Sequence, residues 1–375
     1  MNLIVIGEPH ITTSTGSRNN ALNNILEHYS NFNSTTTYVS STTDVIPNSY
    51  IINNVRYVPL TNYTKSNRLI LKNKKEIISK IKELINDKDY HIQFRIPSIY
   101  VLQVYFCIKS IISSDRFSFY VAGDWKESLK YNYPSKKHLA FILPKLENLT
   151  IRNKKCVFTG DTLLNKNIKY IKKGIAFYST THSFNDLSRE IKDKSDCNGI
   201  CFIGRIEKLK NYNFIIELAK SHLGKKYLFH ILGDGPDMPI LKKTINELKL
   251  TNILIYGHIT DMNSFNQIID KCKYSILPSY TEGTSKTLPE MMCRSTIPIA
   301  FKNVGSNNFI LGENRGILTD INDINQVLEN IDYIDNNYQK YCEIQKNERE
   351  YIVNFTIEKQ LEKMFKFLYD TQKTL

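Results

Sequence analysis

Short runs of β-branched and aromatic residues alternate along the chain with stretches whose apolar positions recur every three or four residues. That alternation is the pattern of βαβ units, in which parallel strands are joined by covering helices. In the first half, residues 3–6, 91–95, 117–122, 155–158 and 175–178 read as strands. Between them Ala21, Leu22, Ile25, Leu26 and Tyr29 share one helical face, as do Ile77, Ile78, Ile81, Leu84 and Ile85. The apolar run 96–112 is interrupted by Gln103 and Lys109. A membrane span needs roughly 18 unbroken apolar residues, so this run reads as a buried helix.

A polar, charge-rich stretch, 186–198, carries little to bury and reads as a linker. The alternation then restarts, with strands expected at 199–203, 227–232, 253–256, 273–277 and 297–301. Helices are expected at 211–223, 241–248, 264–272 and 287–293, the first ended by Gly224 in the left-handed conformation. A last helix near 356–369 gathers Ile357, Leu361, Met364, Phe365 and Leu368 on one stripe, which must dock on an apolar surface. The expected fold class is therefore α/β: two Rossmann-like domains facing a cleft, at 1–185 and 199–352, with the C-terminal segment 353–375 crossing back to the first.

Composition narrows the setting. The 375 residues are 41% hydrophobic and 23% charged, which excludes a disordered chain. The net charge of +13 is concentrated early: residues 1–190 hold 26 Lys and Arg against 14 Asp and Glu, and the remainder 24 against 23. A basic first half, including Lys72, Lys74 and Lys75, suits an anionic partner, whether a phospholipid surface, a phosphate-bearing substrate or nucleic acid. Seven cysteines without a Cys-x2-Cys pair read as reduced thiols, and Met1 leads directly into an apolar strand without a secretory leader. A cytoplasmic protein is expected. Asp87-Lys88-Asp89 has the form of a metal-binding triplet, but it lies at a helix end where exposure explains it, and no metal is expected. His10, His91 and His138 are lone histidines for which ordinary packing or exposure is the simpler account.

Ligands of open α/β sheets bind beyond the carboxyl ends of strands, and three such loops carry chemistry. Gly204-Arg205 through Lys210 places two cations after a strand and before a helix, which suits a diphosphate. Pro278 through Glu290 is a small-residue turn framed by Glu282 and Glu290. In it Gly283 permits close backbone approach, and the amides of Thr284, Ser285 and Lys286 can converge on an anion or on sugar hydroxyls. Glu290 can accept both hydroxyls of a ribose. Gly233-Asp234-Gly235-Pro236 imitates part of a dinucleotide fingerprint but lacks the third glycine, so it reads as a structural turn with Pro in the first turn of the next helix.

Taken together and in this order, the Gly-Arg-x4-Lys, Gly-x-Gly-Pro and Glu-x7-Glu elements resemble those of nucleotide-sugar-dependent glycosyltransferases of the GT-B fold, in particular the retaining family 4. The resemblance spans roughly 199–319. It implies that Arg205 and Lys210 hold the donor diphosphate, Glu282 the donor sugar and Glu290 the ribose, with the backbone near Ile259 flanking the base. It further implies that Gly16, in the loop 12–17, admits the diphosphate and that Asp124 faces the donor sugar. The implied activity is a metal-independent, retaining hexosyl transfer without a cofactor, the nucleotide-diphosphate sugar being a substrate. The implied partners are that donor, a glycan or lipid-linked saccharide acceptor of surface polysaccharide synthesis and an anionic membrane surface, with no nucleic acid. An epimerase or phosphorylase on the same fold, or a basic nucleic-acid-binding protein, are the alternatives.

Two departures bear on the site. Pro289 precedes Glu290 and is tolerable only if the helix begins near Thr287. Arg294, in Cys293-Arg294-Ser295-Thr296-Ile297-Pro298, brings a cation into the expected cleft wall.

Overall fold

Two parallel sheets organise the chain, each the centre of its own unit: residues 1–178 with 360–375, and residues 179–359. The computed structural model describes the chain apart from residues 9–10, 13–15, 18–19, 43–48, 63–69, 87–88, 124–138, 179, 181, 188–191, 283 and 371–375. Among the described residues no helix is long and apolar enough to cross a membrane.

In the first unit β1 (Asn2–Ile6) lies centrally, paired in parallel with β4 (Thr35–Thr42) on one side and β7 (Tyr90–Ile96) on the other. Beyond β7 run β8 (Phe117–Val121), β9 (Lys155–Thr159) and β10 (Lys173–Phe177), all parallel. Beyond β4 run β6 (Val55–Asn62) with antiparallel β5 (Tyr50–Ile52), and the short pair β2 (Ile11–Thr12) and β3 (Gly16–Ser17). Hydropathy missed β4, β5 and β6. In β4 five of the eight residues, Thr36, Thr37, Ser40, Ser41 and Thr42, are polar yet buried. Two of the hydroxyls turn back to the main chain, Ser40 Oγ donating to Gly7 O at 2.6 Å and Thr42 Oγ1 to Ile11 O at 3.4 Å, so a polar sequence fills a covered central strand.

The run 96–112 yields the helix Ile99–Ile108, buried on most sides and capped by Ser98, whose Oγ accepts from the Val101 amide at 3.1 Å. Tyr105 of this helix packs edge-on to Phe94 and Phe119 on the sheet. His91 is a core residue: it is buried, its Nε2 lies 2.9 Å from Ser118 Oγ, and burial together with Lys155 and Arg116 pushes its pKa down to about 3. The C-terminal helix, Ile357–Tyr369, packs against this unit. Phe365 sits against Tyr29 and Phe32, and Lys155 Nζ donates to the last-turn carbonyls of Phe367 and Leu368 at 3.1 and 3.0 Å.

The second unit is a six-stranded parallel sheet in the order β13-β12-β11-β14-β15-β16. Its strands are β11 (Gly199–Ile203), β12 (Leu228–Leu232), β13 (Ile253–Gly257), β14 (Cys272–Leu277), β15 (Ile297–Phe301) and β16 (Ile317–Thr319). The chain winds outward from β11 to β13, returns to β14 beside β11, and winds the other way. The topological switch therefore falls between β11 and β14.

Three sequence expectations change here. Within the expected linker 186–198, Lys192, Asp193, Asp196 and Asn198 are exposed but Lys194 is buried in the second unit, its Nζ donating to Ile269 O at 2.8 Å and Thr296 Oγ1 at 2.6 Å, and burial pushes its pKa down to about 8. The helix after β11 spans only Asn213–Lys220, and Gly224 belongs to a following 3-10 turn, His222–Lys225, rather than forming a left-handed cap. Glycine is required at 224 because a Cβ would lie 2.0 Å from Ala219 O. The helix Met238–Glu247 carries Pro239, not Pro236, in its first turn.

One carboxylate ties the outer helices to the sheet. Asp335, at the end of the helix Ile324–Asp335, accepts from Lys226 Nζ, Lys273 Nζ, Tyr227 Oη and Tyr274 Oη at 2.6–2.8 Å. Burial opposes its ionisation, and these four donors together hold the carboxyl below the usual range. Removing one member of a buried, hydrogen-bonded pair costs about 3–5 kcal/mol, so Asp335→Ala is expected to destabilise the protein by that amount in denaturant unfolding, with buried Lys273 left uncompensated. A loss below about 1 kcal/mol would show that the network contributes little.

Candidate functional site

The carboxyl ends of β11, β12 and β13 are joined by main-chain hydrogen bonds alone. Gly204 N donates to Leu232 O at 3.0 Å and Gly233 N to Gly257 O at 2.7 Å, while Ile206 N donates to Asp234 O at 3.0 Å. The approach is so close that a Cβ on Gly233 would lie 1.9 Å from Gly204 O, and one on Gly235 2.3 Å from Ile206 O. Gly233 also has φ +141°, a conformation open to glycine. The Gly-x-Gly-Pro segment is thus a structural turn, as its sequence suggests, and it shapes a cavity.

That cavity, about 660 Å³, is lined by Gly204, Arg205, Gly233, Asp234, His258, Ile259 and Phe265 together with the strand ends Ile203 and Leu232. Arg205 is well exposed, its Nε 3.6 Å from Glu207 Oε2. The rim thus carries a cation with only a loose partner, while Ile259 and Phe265 supply an apolar wall. A flat, partly apolar group with an anionic tail fits such a chamber.

Across the switch point the loops after β11 and β14 meet. Lys210 Nζ donates to Glu282 Oε1 at 2.5 Å, between residues 72 positions apart in sequence. Both side chains are largely shielded, at 24% and 12% exposure, so the pair is more than a surface contact. Main chain joins the same loops, Tyr280 N donating to Leu209 O at 2.9 Å. Among the described residues the buried Thr284 and Ser279 hydroxyls have no hydrogen-bond partner, and Ser285 of the same loop is buried too. The helix Thr287–Cys293 begins as Pro289 requires: Pro289 falls in the first turn, where an amide would lack an intrahelical acceptor, and Glu290 is in that same turn next to Lys286 at the cap.

The remaining sequence candidates fall elsewhere. Gly16 is in β3 with φ +78°, and a Cβ there would lie 2.5 Å from the Tyr57 ring, so packing within the first unit already demands glycine. Arg294 is not a free cation: it pairs with Asp270, which Lys192 also contacts. Asp124, Gly283, His10 and His138 lie outside the described residues, as does most of Asp87-Lys88-Asp89. Sequence reasoning missed Phe265 and Asn322. Phe265 lies in a helical stretch and Asn322 in a polar segment, and no motif singles either out.

Comparison with known proteins bears on the fold. Residues 184–351 match the family of glycosyl transferases, group 1. An uncharacterised glycosyltransferase of Methanocaldococcus jannaschii is 26% identical over 180 residues, which cover 47% of this chain and 49% of that protein. The chain thus spans about half the length of this curated relative. Among solved structures, a glycosyltransferase from Rickettsia africae superposes with TM-score 0.71 at 16% identity, over 99% of both chains. The Anabaena protein HepE in complex with UDP superposes with TM-score 0.67 at 13% identity, over 97% of this chain and 99% of that one. The chain has the GT-B fold, and the resemblance to group 1 glycosyltransferases read from its motifs stands.

Two glycines separate sterics from backbone strain. Gly257 has φ +72° but open space around it, so Gly257→Ala is expected to cost about 1 kcal/mol through backbone strain. Gly233→Ala adds a collision with Gly204 O and is expected to cost about 2–3 kcal/mol more and to lower the melting temperature further. Equal losses in the two variants would mean that the strand-end contact does not hold these loops.

Proposed function

We propose that the protein is a glycosyltransferase that moves a hexosyl group from a nucleotide-diphosphate sugar to a saccharide acceptor with retention of configuration. The observation that carries this reading is the Lys210–Glu282 pair at the switch point, one wall away from the chamber of Arg205, His258, Ile259 and Phe265. The chamber takes the nucleoside, and a relative of the same fold binds UDP. Glu290 accepts from the ribose hydroxyls. Arg205 and Lys210 stabilise the diphosphate, whose negative charge grows as its bond to the anomeric carbon breaks. When the diphosphate takes Lys210, the Glu282 carboxylate is freed to accept from sugar hydroxyls.

Two protein cations take the place a divalent metal occupies in other transferases, so the reaction is assigned as metal-independent. The carboxylates Glu282 and Glu290 are assigned binding roles, and Asp124, which lies outside the described residues, is the only further acid placed nearby, so double displacement is not the route assigned. The acceptor oxygen bonds to the anomeric carbon on the face the diphosphate leaves, and its proton passes to a diphosphate oxygen. The basic first unit, with exposed Lys72, Lys74 and Lys75, suits a lipid-linked, phosphate-bearing acceptor of surface polysaccharide synthesis at an anionic membrane face. Asp124 and Gly16 are retained as candidates for the sugar and the diphosphate.

A thermal-shift panel of nucleoside diphosphates and nucleotide sugars tests the donor, since a ligand at 100-fold its Kd adds about 2.7 kcal/mol. With the donor so identified, Arg205→Ala and Lys210→Ala are expected to lower turnover about 10²–10³-fold. Wild-type rates in both variants would remove this loop from the leaving-group site. Calorimetric titration is expected to show weaker nucleoside diphosphate binding in Glu290→Ala but little change in Glu282→Ala, whose loss falls on the sugar.

The anomeric proton coupling of the product reads the stereochemistry. An α-linked donor is expected to give an α-glycoside. A β product would establish inversion and turn attention to a general base among Asp124, His10 and Glu8.

A further inference from the structure

One side-chain atom outside every motif holds both halves of the charged pair in place. Asn322 lies in the turn between β16 and the helix Ile324–Asp335, with φ +61°. Its Oδ1 accepts from Asn211 Nδ2 at 3.0 Å and from Tyr280 Oη at 3.3 Å. Asn211 follows Lys210 directly, is buried, and has φ +51° at the point where the 3-10 turn Lys208–Lys210 passes into the next helix. Tyr280 stands two positions before Glu282, and its amide is already bonded to Leu209 O.

From this geometry we infer that Asn322 is a positioning residue for transfer, clamping the Lys210 loop and the Glu282 loop at a fixed separation through a single carbonyl oxygen. The inference rests on the function proposed above. Lys210 must stay within reach of the diphosphate while Glu282 turns to the sugar, so the two loops must hold their spacing after the pair between them is exchanged for donor. Main chain supplies one tie, Tyr280 N to Leu209 O. Asn322 supplies a second that does not involve the exchanging charges. Asparagine meets both demands, since it tolerates a left-handed backbone and presents an acceptor. The nucleoside chamber is built by β11–β13 and does not depend on this clamp.

Two substitutions separate the side chain from the backbone. Asn322→Gly keeps the left-handed turn and removes the acceptor, whereas Asn322→Asp keeps both. Asn322→Gly is expected to lower turnover about tenfold while nucleoside diphosphate affinity stays within about twofold, the mark of misplaced groups rather than a lost binding site. Exchange of the Tyr280 amide, followed by hydrogen–deuterium exchange and mass spectrometry, is expected to quicken about tenfold in the same variant. Asn322→Asp is expected to restore both. Wild-type turnover and wild-type Tyr280 protection in Asn322→Gly would overturn the inference, as would an Asp variant no better than Gly. Should the intact protein transfer no sugar from any nucleotide donor, the proposed function falls, and with it any role of the clamp in transfer. The Tyr280 exchange reads the clamp independently of that result.

Discussion

The donor-side architecture depends on the absence of a side chain at Gly233. Its Cα faces the Gly204 carbonyl at a distance where a single added carbon would overlap the oxygen. Because nothing intervenes, the loops after β11, β12 and β13 hydrogen-bond main chain to main chain, and each strand end is registered on its neighbour. Arg205 and His258 then reach the chamber from fixed roots. A side chain at 233 would push the β11 loop away, and Arg205 with it. Backbone rigidity of this kind places a charge without ordering long side chains at each encounter with ligand.

On the other side of β11 the constraint is electrostatic. Lys210 and Glu282 neutralise each other at a partly buried site, which avoids an isolated charge there when no donor is present. In the function proposed above, a donor diphosphate would compete for Lys210, so that anion binding and the release of the Glu282 carboxylate toward the sugar would be one event. Asn322 and the Tyr280 amide link the same loops through hydrogen bonds that do not involve the Lys210–Glu282 pair.

Elsewhere in the second unit, buried charge is handled in two ways. Asp335 is kept ionised by four donors, and Lys194 donates to a carbonyl and a hydroxyl. Glu348 has neither: among the described residues both its buried oxygens lack hydrogen bonds, and burial raises its pKa well above the usual carboxyl range, with Lys194 acting in the opposite sense.

The sequence by itself determined the second sheet almost strand for strand, because parallel strands covered on both faces read as continuous apolar runs, and it determined the order of the three motifs that bear on the donor. It also determined that Pro289 would start a helix, since φ and the missing amide leave proline no other place there. Tertiary structure alone decided what each residue meets. Ser40 and Thr42 are polar by any scale, and the main-chain carbonyls of Gly7 and Ile11 accept from their hydroxyls in a buried strand. Lys194 sits in a polar, charge-rich stretch and is buried because a carbonyl from 269 and a hydroxyl from 296 converge on its Nζ. Lys210 and Glu282 were each legible as candidates, but their contact, and the role of Asn322 in holding them, exist only because the sheet winds back to set β14 beside β11 and β16 two strands further on. Hydropathy and spacing are local along the chain, whereas charge pairing and close approach depend on distances that only the fold sets.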